Sequence, residues 1–312
     1  MAGVTLGGVF APVVTTFDAR TGEVDPAAFQ RNVRAHLAAG LAGVVVAGSS
    51  GEAALLEEDE RRRLVALSRE AAGAAPVIAG VGAESTRAAV RRAREAADAG
   101  ADLVLCVAPH YYGRRMTDEA LYAHFAALAD ASPVPVLLYN IPVYAHLVLA
   151  PALVRRLAAH GNVAGLKDSA GDLAVLAGYA EARGPDFAVL TGHAATLDAA
   201  LGLGVDGGIL AVSLFAPAPA LALVDAHRRG RRADAQAAQA ALLPLARDVV
   251  AALGPAGLKC AMDLCGYDGG LPRPPLRACS PDERLQVAAA LGAARVPPGP
   301  ERAPARVAVA HG

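Results

Sequence analysis

Of the 29 lysine and arginine residues in this 312-residue chain, only two, Lys167 and Lys259, are lysines. A guanidinium stays protonated near neutrality and cannot attack a carbonyl, whereas a desolvated amine sheds its proton and can. Lys167 closes a short apolar run, Asn162-Val163-Ala164-Gly165-Leu166-Lys167, and the polar stretch Asp168-Ser169-Ala170-Gly171-Asp172 follows at once. A lysine at the end of a buried strand, opening onto a polar loop, suits Schiff-base chemistry. A strand-end lysine held in an ion pair is the plainer alternative. Lys259 falls in a helical stretch near the C-terminus and reads as a surface or packing residue.

The elements that must position Lys167 follow a repeated pattern. An alanine-rich helical segment ends at a glycine, which supplies the left-handed cap conformation, and an apolar run follows within a few residues. His36-Leu37-Ala38-Ala39-Gly40 leads to Val44-Val45-Val46, and Ala96-Ala97-Asp98-Ala99-Gly100 leads to Leu103-Val104-Leu105. Ala158-Ala159-His160-Gly161 leads to the run 163–166, and Leu201-Gly202-Leu203-Gly204 leads to Gly208-Ile209-Leu210. These runs lack period-2 alternation, as strands covered on both faces should. With the runs 9–16, 77–80, 134–139 and 188–191 they make eight candidate strands. Helices are predicted over 26–39, 57–73, 85–99, 118–131, 150–160, 171–183, 194–203 and 216–229. Eight such units fit an α/β fold of the (β/α)8 TIM-barrel type over 1–229, while an open doubly wound sheet shares the pattern. Stretches 232–253, 255–265 and 281–292 would form a C-terminal helical extension over 230–295. The Pro-, Arg- and Ala-rich tail 296–312 reads as disordered.

Composition narrows the function. Hydrophobic residues make up 54% of the chain with no tryptophan, and alanine-rich helices over valine-rich strands suit layered α/β packing. A net charge of −1 without a basic block argues against nucleic acid and anionic membrane as partners. The uncharged stretch 207–224 is interrupted by Pro217 and Pro219 and reads as a buried strand followed by a helix start. Four cysteines without a C-x-x-C pair predict reduced thiols, and the N-terminus has neither a basic nor an apolar signal region, so a cytoplasmic protein is expected. His110, His146 and His193 are scattered, and neither a metal site nor a cofactor is expected.

In a barrel the chemistry gathers where strands end. Those ends carry Thr15-Thr16, Gly48-Ser49-Ser50-Gly51-Glu52, Pro109-His110-Tyr111-Tyr112, Tyr139-Asn140-Ile141-Pro142, Lys167-Asp168-Ser169, Gly192-His193 and Ile209. Small hydroxyls, tyrosines and a lone lysine, without a ring of histidines and carboxylates, favour covalent amine catalysis on a small anionic carbonyl compound.

Three of these motifs, in order, resemble those of the pyruvate-dependent class I aldolase superfamily that contains dihydrodipicolinate synthase and N-acetylneuraminate lyase. Gly48 to Glu52 is similar to its glycine–hydroxyl–hydroxyl–glycine–glutamate loop, Tyr139 to Pro142 to its tyrosine–asparagine–x–proline motif, and Gly165 to Ser169 to the segment bearing its Schiff-base lysine. Within the superfamily, Glu84-Ser85-Thr86, the stretch Tyr111 to Met116 and the stretch Gly257 to Gly270 look closest to 4-hydroxy-2-oxoglutarate aldolases. The resemblance implies that Lys167 condenses with the C2 carbonyl of pyruvate or another 2-oxo acid and that Tyr139 moves protons between substrate oxygens. It puts Ser50 in the hydroxyl relay, with Tyr112 or Tyr111 reaching in from a neighbouring subunit of a homo-oligomer, a dimer or tetramer. Ser49, Ser50 and their N–H groups would hold the substrate carboxylate, Ser169, Gly192 and Ile209 would line the pocket, and Glu52 would hold loop backbone. An aldehyde is the implied second substrate. The substrates implied are 4-hydroxy-2-oxoglutarate or a 2-keto-3-deoxy sugar acid, and the alternatives are a condensing enzyme like dihydrodipicolinate synthase or a Schiff-base dehydratase. A binding module without catalysis would leave Lys167, Tyr139 and Ser50 without employment. The chain departs from the synthases two residues after the proline motif, where Tyr144 stands in place of an arginine that grips the second substrate's carboxylate, and where His146 replaces a common glycine. A tyrosine cannot form a bidentate pair with a carboxylate.

Overall fold

The computed structural model describes residues 4–297, so the predicted disordered tail lies, beyond its first two residues, outside the described residues. Eight parallel strands pair in sequence order, and the last pairs back onto the first, closing a barrel. They are β1 (Gly8–Pro12), β2 (Gly43–Val46), β3 (Val77–Gly80), β4 (Leu103–Val107), β5 (Val136–Asn140), β6 (Val163–Asp168), β7 (Ala188–Thr191) and β8 (Gly207–Ile209). Closure rules out the open sheet. The surrounding helices are α1 (Pro26–Ala38), α2 (Glu58–Ala72), α3 (Thr86–Asp98), α4 (Asp118–Ala131), the single turn α5 (Pro142–Ala145), α6 (Pro151–Ala158), α7 (Leu173–Ala180), α8 (Leu197–Gly202) and α9 (Pro217–Arg228). Capping side chains set several of the starts. Asp25, Ser85, Thr117 and Asp172 each accept a hydrogen bond from a first-turn N–H of α1, α3, α4 and α7, satisfying donors that the helix itself leaves unpaired.

Alternate strand residues face two cores. Phe10, Val45, Ile78, Leu103, Leu105, Leu137, Tyr139, Leu190 and Ile209 fill the barrel interior, while Val9, Val44, Val46, Val104, Leu138 and Val189 pack outward under the helices. In β6 the phase slips. Val163 and Leu166 both belong to the outer core although they are three positions apart, because the pairing with β5 jumps from Val136–Val163 to Leu137–Gly165. One extra residue in a strand reverses the facing of everything after it. That bulge turns Lys167 inward.

β1 stops at Pro12 instead of running to Thr16. The chain turns inward there, with Val13 N–H donating to Val45 O (3.0 Å) and Thr15 Oγ1 to Gly51 O (2.7 Å). The predicted stretches 232–253 and 255–265 appear as α10 (Arg232–Pro244), a wide-turned segment Leu245–Ala251, and α11 (Ala252–Leu264), broken at Gly254, where φ is +54°. By length and composition Arg232–Leu264 could cross a membrane; here Leu242, Leu245, Val249 and Leu258 are buried in the outer core. The last helix is α12 (Pro281–Ala293), opened by a Ser280–Glu283 capping box. The four cysteines are unpaired.

Candidate active site

Strand register places the chemistry. β5 and β6 pair Tyr139 directly with Lys167, and both side chains face the interior at the carboxyl end of the barrel. Lys167 Nζ donates to Tyr139 Oη at 3.2 Å and lies 4.3 Å from the ring centroid. Lys167 is 7% exposed and Tyr139 5%. Among the described residues Lys167 forms no ion pair, which removes the plainer reading of it. β7 ends beside it at Gly192, where an added Cβ would sit 2.8 Å from Lys167 Cε and collide with Ser169 Oγ. Glycine at 192 therefore leaves room for the lysine to swing, and Ser169 lies at its side.

The hydroxyl loop leaves β2 through strained backbone. Ala47 has φ +52° and Glu52 φ +57°, left-handed values that cost a non-glycine residue about 1 kcal/mol or more. Gly80 makes room for the first, since a Cβ there would run into Ala47 O. Between these two bends, Ser49 Oγ lies 3.4 Å from Tyr139 Oη. Ser49, Tyr139 and Lys167 thus form one connected line of polar atoms. Of the two loop hydroxyls, that of Ser49 lies against the phenol, whereas the expected relay position is that of Ser50. Ser50 is half-buried, and among the described residues its hydroxyl makes no hydrogen bond. The backbone N–H groups of Ser49 and Ser50 likewise have no partner there, which suits them to an anion.

Asn140 and Asp168 brace this line from behind. Asn140 Nδ2 donates to Asp168 Oδ1 at 2.7 Å, and Asn140 Oδ1 accepts Leu149 N–H at 3.0 Å. Asp168 is 1% exposed, and burial pushes its carboxyl pKa up while the Asn140 bond opposes the rise. The pairing joins β5 to β6 and ties the loop after β5 back onto the barrel.

Other predicted residues are spread around the rim. Ile209 lies in the interior core with Tyr139. Tyr111 and Tyr112 stack edge to face with centroids 5.0 Å apart and are 77% and 68% exposed; neither hydroxyl is hydrogen-bonded among the described residues. Glu84 anchors their loop by accepting the N–H groups of His110 and Tyr111. Tyr144, on α5, is half-exposed; burial, and then its nearness to Tyr139, push its hydroxyl pKa above the usual phenol range. His146 is exposed and holds φ +53°, the backbone that makes glycine the common choice there.

Lys259 is neither a surface residue nor a simple filler. It is 1% exposed, its Nζ lies 2.5 Å from Glu52 Oε1, and it donates to Leu271 O at 2.8 Å. Thr15 and Arg273 were also missed as neighbours of the hydroxyl loop. The available signal was the rarity of lysine in the chain, which marks Lys259 as much as Lys167. Among the described residues no three His, Cys, Asp or Glu side chains converge to hold a metal ion.

The sequence resemblance extends to whole proteins. A model of the dihydrodipicolinate synthetase family matches residues 5–294. The chain is 36% identical over 291 residues to the 4-hydroxy-tetrahydrodipicolinate synthase of Synechococcus sp. (strain CC9605), covering 93% of this chain and 95% of that protein. Its fold matches a dihydrodipicolinate synthase from Bacillus anthracis with a TM-score of 0.89 at 28% identity, covering 95% of this chain and 99% of the other. It also matches YagE from E. coli K12, a prophage protein of the dihydrodipicolinic acid synthase family solved in complex with pyruvate, with a TM-score of 0.87 at 28% identity over 94% of this chain and 99% of the other. The names of these relatives are those of the synthase or of its family, and the expected closeness to 4-hydroxy-2-oxoglutarate aldolases is not among what they show. On sequence and fold together, the chain belongs to the dihydrodipicolinate synthetase family.

Proposed function

We propose that this protein is a class I aldolase that binds pyruvate as a Schiff base on Lys167 and makes or breaks the C3–C4 bond of a 2-oxo acid. The single observation that carries the reading is the buried Lys167 amine, without an ion-pair partner among the described residues and hydrogen-bonded to the Tyr139 phenol. In cleavage, the Lys167 nitrogen adds to C2, and water leaves with a proton from Tyr139, giving an iminium and a Tyr139 phenolate. The phenolate takes the proton from the C4 hydroxyl, the C3–C4 electrons flow into the iminium, and the aldehyde departs. The resulting enamine is protonated at C3, and water releases pyruvate. The iminium acts as the electron sink, so the mechanism calls for no Lewis acid. Ser49 extends the proton path from Tyr139, and the Ser49 and Ser50 N–H groups receive the C1 carboxylate.

For the aldehyde, glyoxylate, from 4-hydroxy-2-oxoglutarate, and the hydroxylated aldehydes, from 2-keto-3-deoxy sugar acids, are the candidates. A neutral Tyr144 hydroxyl offers one hydrogen bond and no bidentate grip, which suits a hydroxylated aldehyde better than one that bears a carboxylate, glyoxylate included. The names of the relatives favour the second reading, a condensation with aspartate semialdehyde. Tyr111 and Tyr112, exposed in the single chain as are Val143, Tyr144 and Val148, support a homo-oligomer in which one tyrosine enters the neighbour's relay.

Borohydride reduction in the presence of pyruvate tests the reading. One reduced adduct is expected on Lys167 and none on Lys259, whose amine is sealed against Glu52 and Leu271 O. Peptide mass spectrometry that finds Lys259 labelled instead, or neither lysine, would overturn the mechanism. A product screen across aldehydes, starting with glyoxylate, decides between the substrates.

A further inference from the structure

We infer that Lys259, together with Glu52 and Arg273, forms a clamp by which the C-terminal helices set the shape of the Ser49–Ser50 loop, so that Lys259 acts as a positioning residue for pyruvate binding. The inference rests on reading that loop as the seat of the substrate carboxylate.

Glu52 follows Ser50 by two residues and carries the second of the loop's two left-handed bends. Its backbone N–H donates to Ser49 O at 3.1 Å, so the conformation of Glu52 bears directly on Ser49. Its carboxylate is held from two sides by the C-terminal part of the chain: Lys259 Nζ at 2.5 Å on Oε1, and Arg273 N–H at 2.7 Å on Oε2. The lysine comes from α11, and its third-side support is the carbonyl of Leu271. Beneath it lies the Phe17 ring, 4.6 Å from Nζ, which Arg273 also covers at 4.1 Å. Arg273 then reaches on to Glu60 at 2.5 Å and to Leu55 O at 3.1 Å, fastening the start of α2 to the same segment. At the near end of the loop, Thr15 Oγ1 holds Gly51 O. The loop is therefore pinned at Gly51 from within the barrel and at Glu52 from the helical extension.

Two features separate this clamp from ordinary packing. A buried ion pair is a poor way to gain stability, because desolvation offsets most of the attraction and apolar side chains of equal volume often hold a fold as well. A left-handed glutamate persists only where its surroundings over-determine it, and such strain gathers at ligand sites. Burial lowers the Lys259 pKa and the Glu52 charge opposes that; the pair holds together by mutual support.

The test is the double variant Glu52→Gln/Lys259→Met, which removes both buried charges and leaves neither unpaired. Melting temperature and the pyruvate concentration for half-maximal borohydride adduct on Lys167 are read on full-length protein. Melting close to wild type is expected, with half-saturation raised about tenfold to a hundredfold, the size of effect a loop displaced by about 1 Å produces. Adduct at saturating pyruvate should remain, since Lys167 and Tyr139 are untouched. Half-saturation equal to wild type in a folded double variant would overturn the clamp, because a purely structural pair predicts recovery of both readouts. Should the double variant fail to fold, Lys259→Arg, which keeps both charges paired but moves the contact on Glu52, is read the same way. Wild-type protein that traps no adduct would instead overturn the Schiff-base reading, and this inference with it.

Discussion

The pairing of Lys167 and Tyr139 is a matter of single atoms. In the proposed mechanism, the phenol at 3.2 Å from the amine carries protons in both iminium formation and carbon–carbon cleavage. Tyr139→Phe keeps the ring that fills the barrel interior and removes only the oxygen. The expected result is an unchanged fold and turnover slowed by roughly two to four orders of magnitude, as for loss of a positioned proton-transfer group. Pyruvate affinity should suffer far less, because the proposed carboxylate seat is the serine loop. Steady-state kinetics check this, and near-normal turnover in Tyr139→Phe would remove the phenol from the mechanism. Ser49 lies 3.4 Å from the same oxygen, whereas the sequence reading gives Ser49 the substrate carboxylate and Ser50 the relay. A run of two adjacent serines has no property that tells which one faces a partner on another strand; that depends on the bend at Ala47.

At the scale of elements, the strands and helices were legible because their signals are local: glycine stops, capping side chains and unbroken apolar runs. Helix α4 and strands β3 and β7 lie where the pattern predicts them. What local pattern could not convey was phase. The bulge in β6 that turns Lys167 inward is a property of pairing with β5, and the Lys259–Glu52 contact joins residues more than two hundred positions apart. The loop after β5 belongs to the same class: α5 and its left-handed end at His146 were not predicted as an element. Its fixed shape, tied by Leu149 N–H to Asn140, bears on specificity. Gly254 of the C-terminal helices lies near the Tyr144 hydroxyl, which an added Cβ would meet at 3.9 Å. Tyr144→Arg should supply a bidentate carboxylate partner and raise turnover with pyruvate and aspartate semialdehyde by about tenfold or more, as each 1.4 kcal/mol of transition-state binding gives a factor of ten. Adduct formation at Lys167 should not change. Efficient condensation with the semialdehyde by the wild-type protein would show that Tyr144 does not set the choice of aldehyde.

For the molecule as a whole, the segment 266–273 is where the two ends of the fold meet. Asp268 exchanges backbone hydrogen bonds with the Asn32 carboxamide of α1 and pairs with Arg31 at 3.0 Å, and Tyr267 packs on His36 with ring centroids 5.1 Å apart. His36 is fully buried, with no hydrogen bond to either ring nitrogen among the described residues. Burial pulls its pKa from 6.5 down to about 4, so the folded protein keeps the ring neutral. The unfolded chain binds a proton there near pH 6.5 and the folded chain does not until about pH 4; stability is therefore complete above pH 6.5 and is lost as pH falls toward 4. A depression of that size corresponds to about 3 kcal/mol at the acid end. His36→Leu removes the titrating ring while keeping an apolar side chain against Tyr267. Its melting temperature should fall less than that of wild type between pH 7 and pH 4.5, the difference between the two isolating His36 from the other acid-sensitive groups. Parallel falls in wild type and His36→Leu would mean that His36 is protonated in the folded state at these pH values and that the α1 junction with segment 266–273 is open to water.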